Sequence, residues 1–487
     1  MATTGRRSGA WAIGAIVLAI VLLSVAALRD SRADRTAEAP TDSPVSSVAL
    51  SCPFFGDADA TAAKTGIATT YVGSAGRDGP GRSMVTALPG GEGLDSLVPS
   101  DPGAWSSDAI DSGKTGAVLL TSTGANAPGS VAFGASDAPK RLGGGLAVSG
   151  CTESAKDAWF VGAASVAERK STLMLTNLSR SPAVATVSLV GTGGAVESVG
   201  GDAVVVEPGA VRAVPIESLA AGEDELGVRV QTRRGALSAS MADISTGGSL
   251  RGSDWIPASR QAAKTQTVTG LSRRADSRTL LVANPGDRTA TVNLLVSGKD
   301  GIFTPRGLDK AEVRPGAIAA VDLPESLGKE SLSMKVRSDE PVTAAVRSVS
   351  PGSDADVAYA AAGEALTSPA VVPTQIGTTI APKDATVVLS GSRDEAAAKA
   401  TVTAYDSGGK ALDKVQVGVP AGRTVMFDPT AKGKLDAPAD KIAYLTVDPG
   451  KVPVFAAAVF EQGSKVSTVP LTEAPSTTKA PAVSEGD

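Results

Sequence analysis

No histidine occurs among the 487 residues, so any chemistry here has to come from carboxylates, serines, lysines and two cysteines. That removes the Ser-His-Asp and Cys-His constellations and the usual zinc ligand sets. The strings Lys64-Thr65-Gly66 and Lys114-Thr115-Gly116, with the S-x-x-K spacings Ser326/Lys329 and Ser407/Lys410, are the parts of a penicillin-interacting serine enzyme. Their order is wrong: both K-T-G strings come first, no S-D-N intervenes, and Ser407-Gly408-Gly409-Lys410 reads as a hairpin turn. Gly113-Lys114-Thr115 has the ending of a P-loop, but Asp108 stands where that motif needs a glycine. Glu223-Asp224-Glu225, and Asp354 with Asp356, have the residue types of a calcium site or a glycosidase pair. Inter-strand loops carry such charges routinely, and spacing alone builds no cage. The sequence therefore assigns no catalytic, cofactor-binding or metal-ligating residue, and no cofactor.

Cys52 and Cys151 are the two cysteines, and both follow the apolar N-terminal run. A lone pair on the exported side of a membrane predicts a disulfide. Closing a loop of about 100 residues is worth up to roughly 4.7 kcal/mol in the chain-entropy model. The loop encloses a Gly-rich stretch with little apolar content, which needs such a constraint.

The elements that position these residues are short and β-type. In one copy LMLTN begins at Leu173, ATVSLV at Ala185, a Pro208-Gly209 turn follows, then VRV at Val228 and LSASMADI at Leu237. The same order returns as LLVAN from Leu280, ATVNLLV from Ala290, Pro315-Gly316, MKV from Met334 and VTAAVRSV from Val342. A weaker copy runs VVLSG from Val387, ATVTAYD from Ala400, Pro420-Ala421-Gly422, LTV from Leu445 and VFAAAVF from Val454. A period of about 100 residues means whole domains, because solenoid and propeller repeats are roughly 20 to 50 residues long. It is the size of a seven-stranded sandwich. Alternation in ATVSLV and ATVNLLV turns one face to a core and one to water. Asn177 and Asn284-Pro285 read as chain reversals.

An aromatic residue recurs ahead of each copy: Trp159 in DAWFV, Trp255 in DWIP and Tyr359 in DVAY. We read these three as core anchors in the first strand of each module, the rival being a platform for sugar or peptide. Exposure of Trp105, Trp159 and Trp255 separates the two readings.

Trp11 to Leu28 is apolar apart from Gly14 and Ser24, and Arg6-Arg7 precede it. Eighteen residues of helix span about 27 Å, close to the roughly 30 Å hydrocarbon core. The positive-inside rule keeps Arg6 and Arg7 in the cytoplasm and sends the rest outward. We read an uncleaved signal anchor; a cleaved signal peptide is the rival, with Val25 and Ala27 at its cleavage site. The net charge of -5, with both signs interspersed, leaves no nucleic-acid footprint. Apolar residues make up 42% but aromatics only 3%, so cores must be packed with Val, Leu and Ala.

The anchor, the string Asp157 to Gly162 after the second cysteine, and the L-x-L-x-N strand Leu173 to Asn177 together resemble a family of actinobacterial membrane-anchored proteins known only as a domain of unknown function. The likeness covers most of residues 48–465, with Ala158 before the Trp as a small departure. It implies a cell-envelope protein and transfers no catalytic residue.

The expected fold is mostly β: tandem immunoglobulin-like sandwich modules after one transmembrane helix. The expected divisions are a cytoplasmic stretch at 1–10, an anchor at 11–28 and a linker at 29–50. A disulfide-closed β-rich unit follows at 51–152, then modules at 153–250, 251–352 and 353–465, and a disordered tail at 472–487. The expected function is a non-enzymatic, extracytoplasmic envelope scaffold or interaction protein on a single-pass anchor, partnered by another envelope protein or a cell-wall polymer. The alternatives are a carbohydrate-binding accessory for cell-wall glycopolymer assembly and, last, a histidine-free hydrolase.

Overall fold

A computed structural model describes residues 41–59, 61–62, 64–72, 79–111, 116–247, 250–308, 310–328, 330, 332–392 and 394–480. The expected anchor at 11–28, and residues 481–487 of the expected tail, lie outside the described residues. Among the described residues no helix is long and apolar enough to cross a membrane.

The chain is mostly β, and its strands alternate as the sequence demands. In Ala183–Gly191 the side chains of Ala183, Ala185, Val187 and Leu189 are buried and those between them are not. The reversals rest on buried asparagines. Asn177 Nδ2 donates to the carbonyls of Ser181 and Val206, and Asn284 Nδ2 donates to those of Arg288 and Val313. Each Oδ1 accepts the N–H two residues on, at Ser179 and Gly286, so each side chain stands in for backbone across the bend.

Strand order exposes what the sequence hid. In Ser47–Gly150 the eight strands form two sheets, with the first strand beside the sixth, then the third, then the fourth, and the fifth beside the second, then the seventh, then the eighth. The stretch Asp157–Ile256 repeats that order, with short extra strands at Ser165–Val166 and Val204–Val206. Ala263–Ala361 repeats it too, except that Leu332–Val349 runs on without a break and serves one sheet with its first half and the other with its second. Ala370–Pro470 is the last copy. The described residues thus build four units, I to IV, and the disulfide-bonded stretch is the first of them, not a separate element. Gly-rich loops and little apolar content masked its kinship.

Two further expectations change. Immunoglobulin domains place the first strand beside the second; here it lies beside the sixth, so only the general two-sheet architecture carries over. Trp159 lies in a first strand, as read, but Trp255 and Tyr359 lie in the eighth strands of units II and III, Gly252–Ile256 and Val357–Ala361. An eighth strand sits just before the next unit in sequence, and its aromatic was mistaken for that unit's opening. The units accordingly begin at Ala263 and Ala370 rather than near 251 and 353.

Each pair of sheets encloses a core of Val, Leu, Ile and Ala, and the core of unit IV continues into unit I. The four eighth strands, Gly145–Gly150, Gly252–Ile256, Val357–Ala361 and Lys465–Pro470, touch in a cycle, the last returning to the first. The units therefore close on themselves rather than extend as a rod. Residues 472–476, assigned to the tail, secure that closure. Glu473 Oε1 accepts from Thr367 N and Oγ1, Ala474 N donates to Pro369 O, and Gly129 N donates to Pro475 O. Few apolar side chains did not prevent order there, because backbone groups supply the bonds. Of the expected linker at 29–50, residues 29–40 lie outside the described residues, as does the expected cytoplasmic stretch at 1–10, while Thr41–Pro44 and Ser47–Pro53 are strands. Thr41–Pro44 and Thr477–Ala480 pair as a two-stranded sheet of their own.

Candidate functional site

At the centre of the cycle one carboxylate holds all four units. Asp356 Oδ1 accepts the backbone N–H of Ser253 at 3.2 Å and of Val357 at 2.9 Å, while Oδ2 accepts those of Leu146 at 2.9 Å and Val466 at 3.0 Å. Each amide comes from a different eighth strand. Backbone must approach closely for this, and glycine permits it: a Cβ on Gly145 (φ +133°) would stand 2.2 Å from Asp356 Oδ1, and one on Gly252 (φ +136°) 2.4 Å from Val357 N. Burial pushes the Asp356 carboxyl from 3.8 up to about 7, against the pull of those four amides. Asp254 lies beside it, and burial followed by the neighbouring Asp356 charge holds its carboxyl well above the usual range. Its Oδ1 accepts from Trp255 N and Ser467 Oγ. The two carboxylates are 1% and 0% exposed, so this convergence gives a substrate no approach.

The seams around this hub are also buried. Between units I and II, Phe55 meets Trp255 edge-on at 5.1 Å. Between II and III, Arg169 donates to Asp243, Glu225 and the Tyr359 hydroxyl, Tyr359 donates to Asp243 at 2.5 Å, and Arg347 pairs with Glu225 at 2.6 Å. Between III and IV, Ser297 donates to Gly422 O and Thr424 to Ser297 O. Trp105, Trp159 and Trp255 are 5%, 3% and 4% exposed, so none of them is a platform for a ligand. Tyr359 is buried too, and its ring closes the seam between II and III.

The remaining sequence motifs scatter. Lys64-Thr65-Gly66 sits in a central strand of unit I, with the Thr65 hydroxyl spent on Ser136. Ser407 to Lys410 forms the expected hairpin turn. Lys114, Thr115 and Lys329 lie outside the described residues. Of the acidic clusters, Glu225 and Asp356 are consumed by the seams. Among the described residues no group of three or more His, Cys, Asp or Glu could hold a metal ion. Cys52 and Cys151 are bonded, joining the first strand of unit I to the residue after its eighth.

The open site lies at the seam of units IV and I, where sequence reading placed nothing. On the third and sixth strands of unit IV, Thr401 faces Asp448, Thr403 faces Thr446 and Tyr405 faces Tyr444. Period-two alternation puts these six on one face while Val402, Ala404, Leu445 and Val447 fill the core behind. Val72, Pro102, Gly103, Pro369 and Gly409 wall the face into a groove of about 470 Å³. Its floor is rigid. Tyr405 stacks on Tyr444 at 4.8 Å and 4°, and Tyr444 stacks on Trp105 at 5.1 Å and 21°. The Tyr444 hydroxyl donates to Gly103 O, Trp105 Nε1 to Gln375 O, and Trp105 N to Ser407 O. The alternating ATVTAYD string was visible in sequence, but its partner strand and the wall from unit I were not.

A family model described as a family of unknown function, DUF5719, matches residues 106–430. No curated protein matches the chain.

Proposed function

The chain belongs to DUF5719, a family whose function is unknown, and from that premise we propose that it is a non-enzymatic scaffold of the extracytoplasmic cell envelope. In this reading residues 11–28 hold it at the membrane and four duplicated sandwich modules, immunoglobulin-like in general architecture, form the exported body. The observation that carries the reading is the closure of four units around one carboxylate. A shared dry hub and buried seams fix the outward sheet faces relative to one another, which is what a platform for partners needs and what a tether does not. The bond between Cys52 and Cys151 supports export, because such bonds persist in oxidising compartments.

The experiment is photo-crosslinking in intact cells, with the crosslinking residue placed at Arg233, Arg337 and Thr403, one on each of three outer faces. A single envelope component recovered from at least two faces is the expected result. Crosslinks no different from those of the bulk proteins of the compartment would refute a scaffold role.

A further inference from the structure

We propose that the groove between units IV and I binds a neutral, polyhydroxylated ligand, a short segment of glycan without charged substituents. The proposal rests on the scaffold reading only in needing a rigid seam, and it names what one face of that scaffold holds.

Its chemistry is read from the lining. The groove offers the hydroxyls of Thr401, Thr403, Thr446 and Tyr405, the carboxylate of Asp448, and a tyrosine ring at the end of a stack. No hydrogen bond among the described residues uses those four hydroxyls, so their donors and acceptors are left to solvent or ligand. Asp448 Oδ1 accepts from Gly450 N, which leaves Oδ2 to accept from a ligand hydroxyl. Sugar rings pair apolar C–H faces with hydroxyl edges, and an aromatic ring bordered by hydroxyls and a carboxylate matches both. A volume of about 470 Å³ falls inside the roughly 300–1,000 Å³ range of small-ligand sites.

Charge narrows the class. The same strand pair in the other units carries Arg82 in unit I, Arg229, Arg233 and Arg234 in unit II, and Lys335 with Arg337 in unit III. Of these, Arg229 pairs with Asp157, and Lys335 and Arg337 with Asp394, while Arg233 donates to the neutral groups of Thr186 and Gln231. The lining of the unit IV groove carries one charge, Asp448, while Lys399 and Lys414 stand on the same sheet face outside that lining. An anionic segment seated in the groove would meet the Asp448 carboxylate, while a neutral one gains an acceptor for its hydroxyls.

The test is binding of neutral hexasaccharides, cellohexaose, mannohexaose and a galactan hexamer, to the full chain by calorimetry and ligand-observed NMR. Oligogalacturonate of equal length serves as the anionic control. At least one neutral oligomer is expected to saturate, and Thr403→Val and Thr446→Val are each expected to weaken it about tenfold, the size of one lost hydrogen bond in a desolvated site. Asp448→Asn, on the exposed rim, provides a variant that leaves the fold untouched and is expected to weaken the same ligand. Absence of saturation by any neutral oligomer up to about 10 mM, at the weak limit of useful recognition, overturns the proposal. So does equal binding by wild type and variants, or tighter binding of oligogalacturonate. Crosslinking that still finds an envelope partner would then leave the scaffold standing without its glycan, and failure of both would remove both.

Discussion

At the hub, four strands bring backbone amides onto one buried carboxylate; at the groove, two strands bring side chains onto an open face. Both lie where units meet, and both contain an aspartate. They differ in what surrounds the charge. Asp356 is buried and accepts four backbone amides, so its worth is structural, and its removal would orphan amides in four units at once. Asp448 is exposed, keeps one oxygen unspent and is held by a single local amide, so its loss costs the fold little. The lesson is that a junction becomes a keystone or a binding surface according to whether it excludes solvent.

Substitutions can break this comparison, and the hub offers the largest effect. Asp356→Ala should destabilise the full chain by roughly 5 kcal/mol or more, because buried N–H groups left without acceptors cost about 1–3 kcal/mol each. A urea midpoint within error of wild type would show that the hub is dispensable. Next in size is a dependence on pH. Asp356 titrates near 7 in the folded chain against 3.8 for its ordinary value, so the folded state holds its proton longer than the unfolded state does. Stability is then full below about pH 4 and falls as pH rises through about 7, by up to about 4 kcal/mol for this group. Denaturation across that window should show the decline, and Asp356→Asn should flatten it; a slope of the opposite sign would mean that the four amides outweigh burial.

The boundary between the regions comes third. Trp105→Phe keeps the stacked ring but loses the bond to Gln375 O, and should cost about 1–2 kcal/mol in thermal unfolding. Smallest of all, Thr403→Val at the groove should change stability by no more than about 0.5 kcal/mol, as surface substitutions usually do. A large loss there would make the groove part of the structural core and erase the contrast with the hub.

How much of this was legible in the sequence varies from element to element. The strands Leu173 to Asn177 and Ala185 to Val190 were readable because period-two burial writes itself as alternation. The cysteine pair was readable because two thiols leave one pairing. Unit I escaped because its second and seventh strands hold Gly66 and Gly134 where its sisters hold larger residues, so its pattern did not match theirs. Asp356 was visible only as half of an acidic pair, since nothing local distinguishes a keystone carboxylate from a loop charge. The groove combines Thr401 to Tyr405 with Tyr444 to Asp448, and only strand pairing makes those two strings one surface.

By itself the sequence determined the strand-rich class, the period near one hundred residues, the disulfide and the scarcity of aromatic side chains, because each follows from residue type or local spacing. Tertiary structure decided the number of units, the closing of the cycle, the burial of the tryptophans and the chemistry of each outer face. Those depend on which strand lies beside which, and on amides from four distant segments meeting one carboxylate. Such choices are made by long-range hydrogen bonding and by exclusion of water, which no short stretch of sequence records.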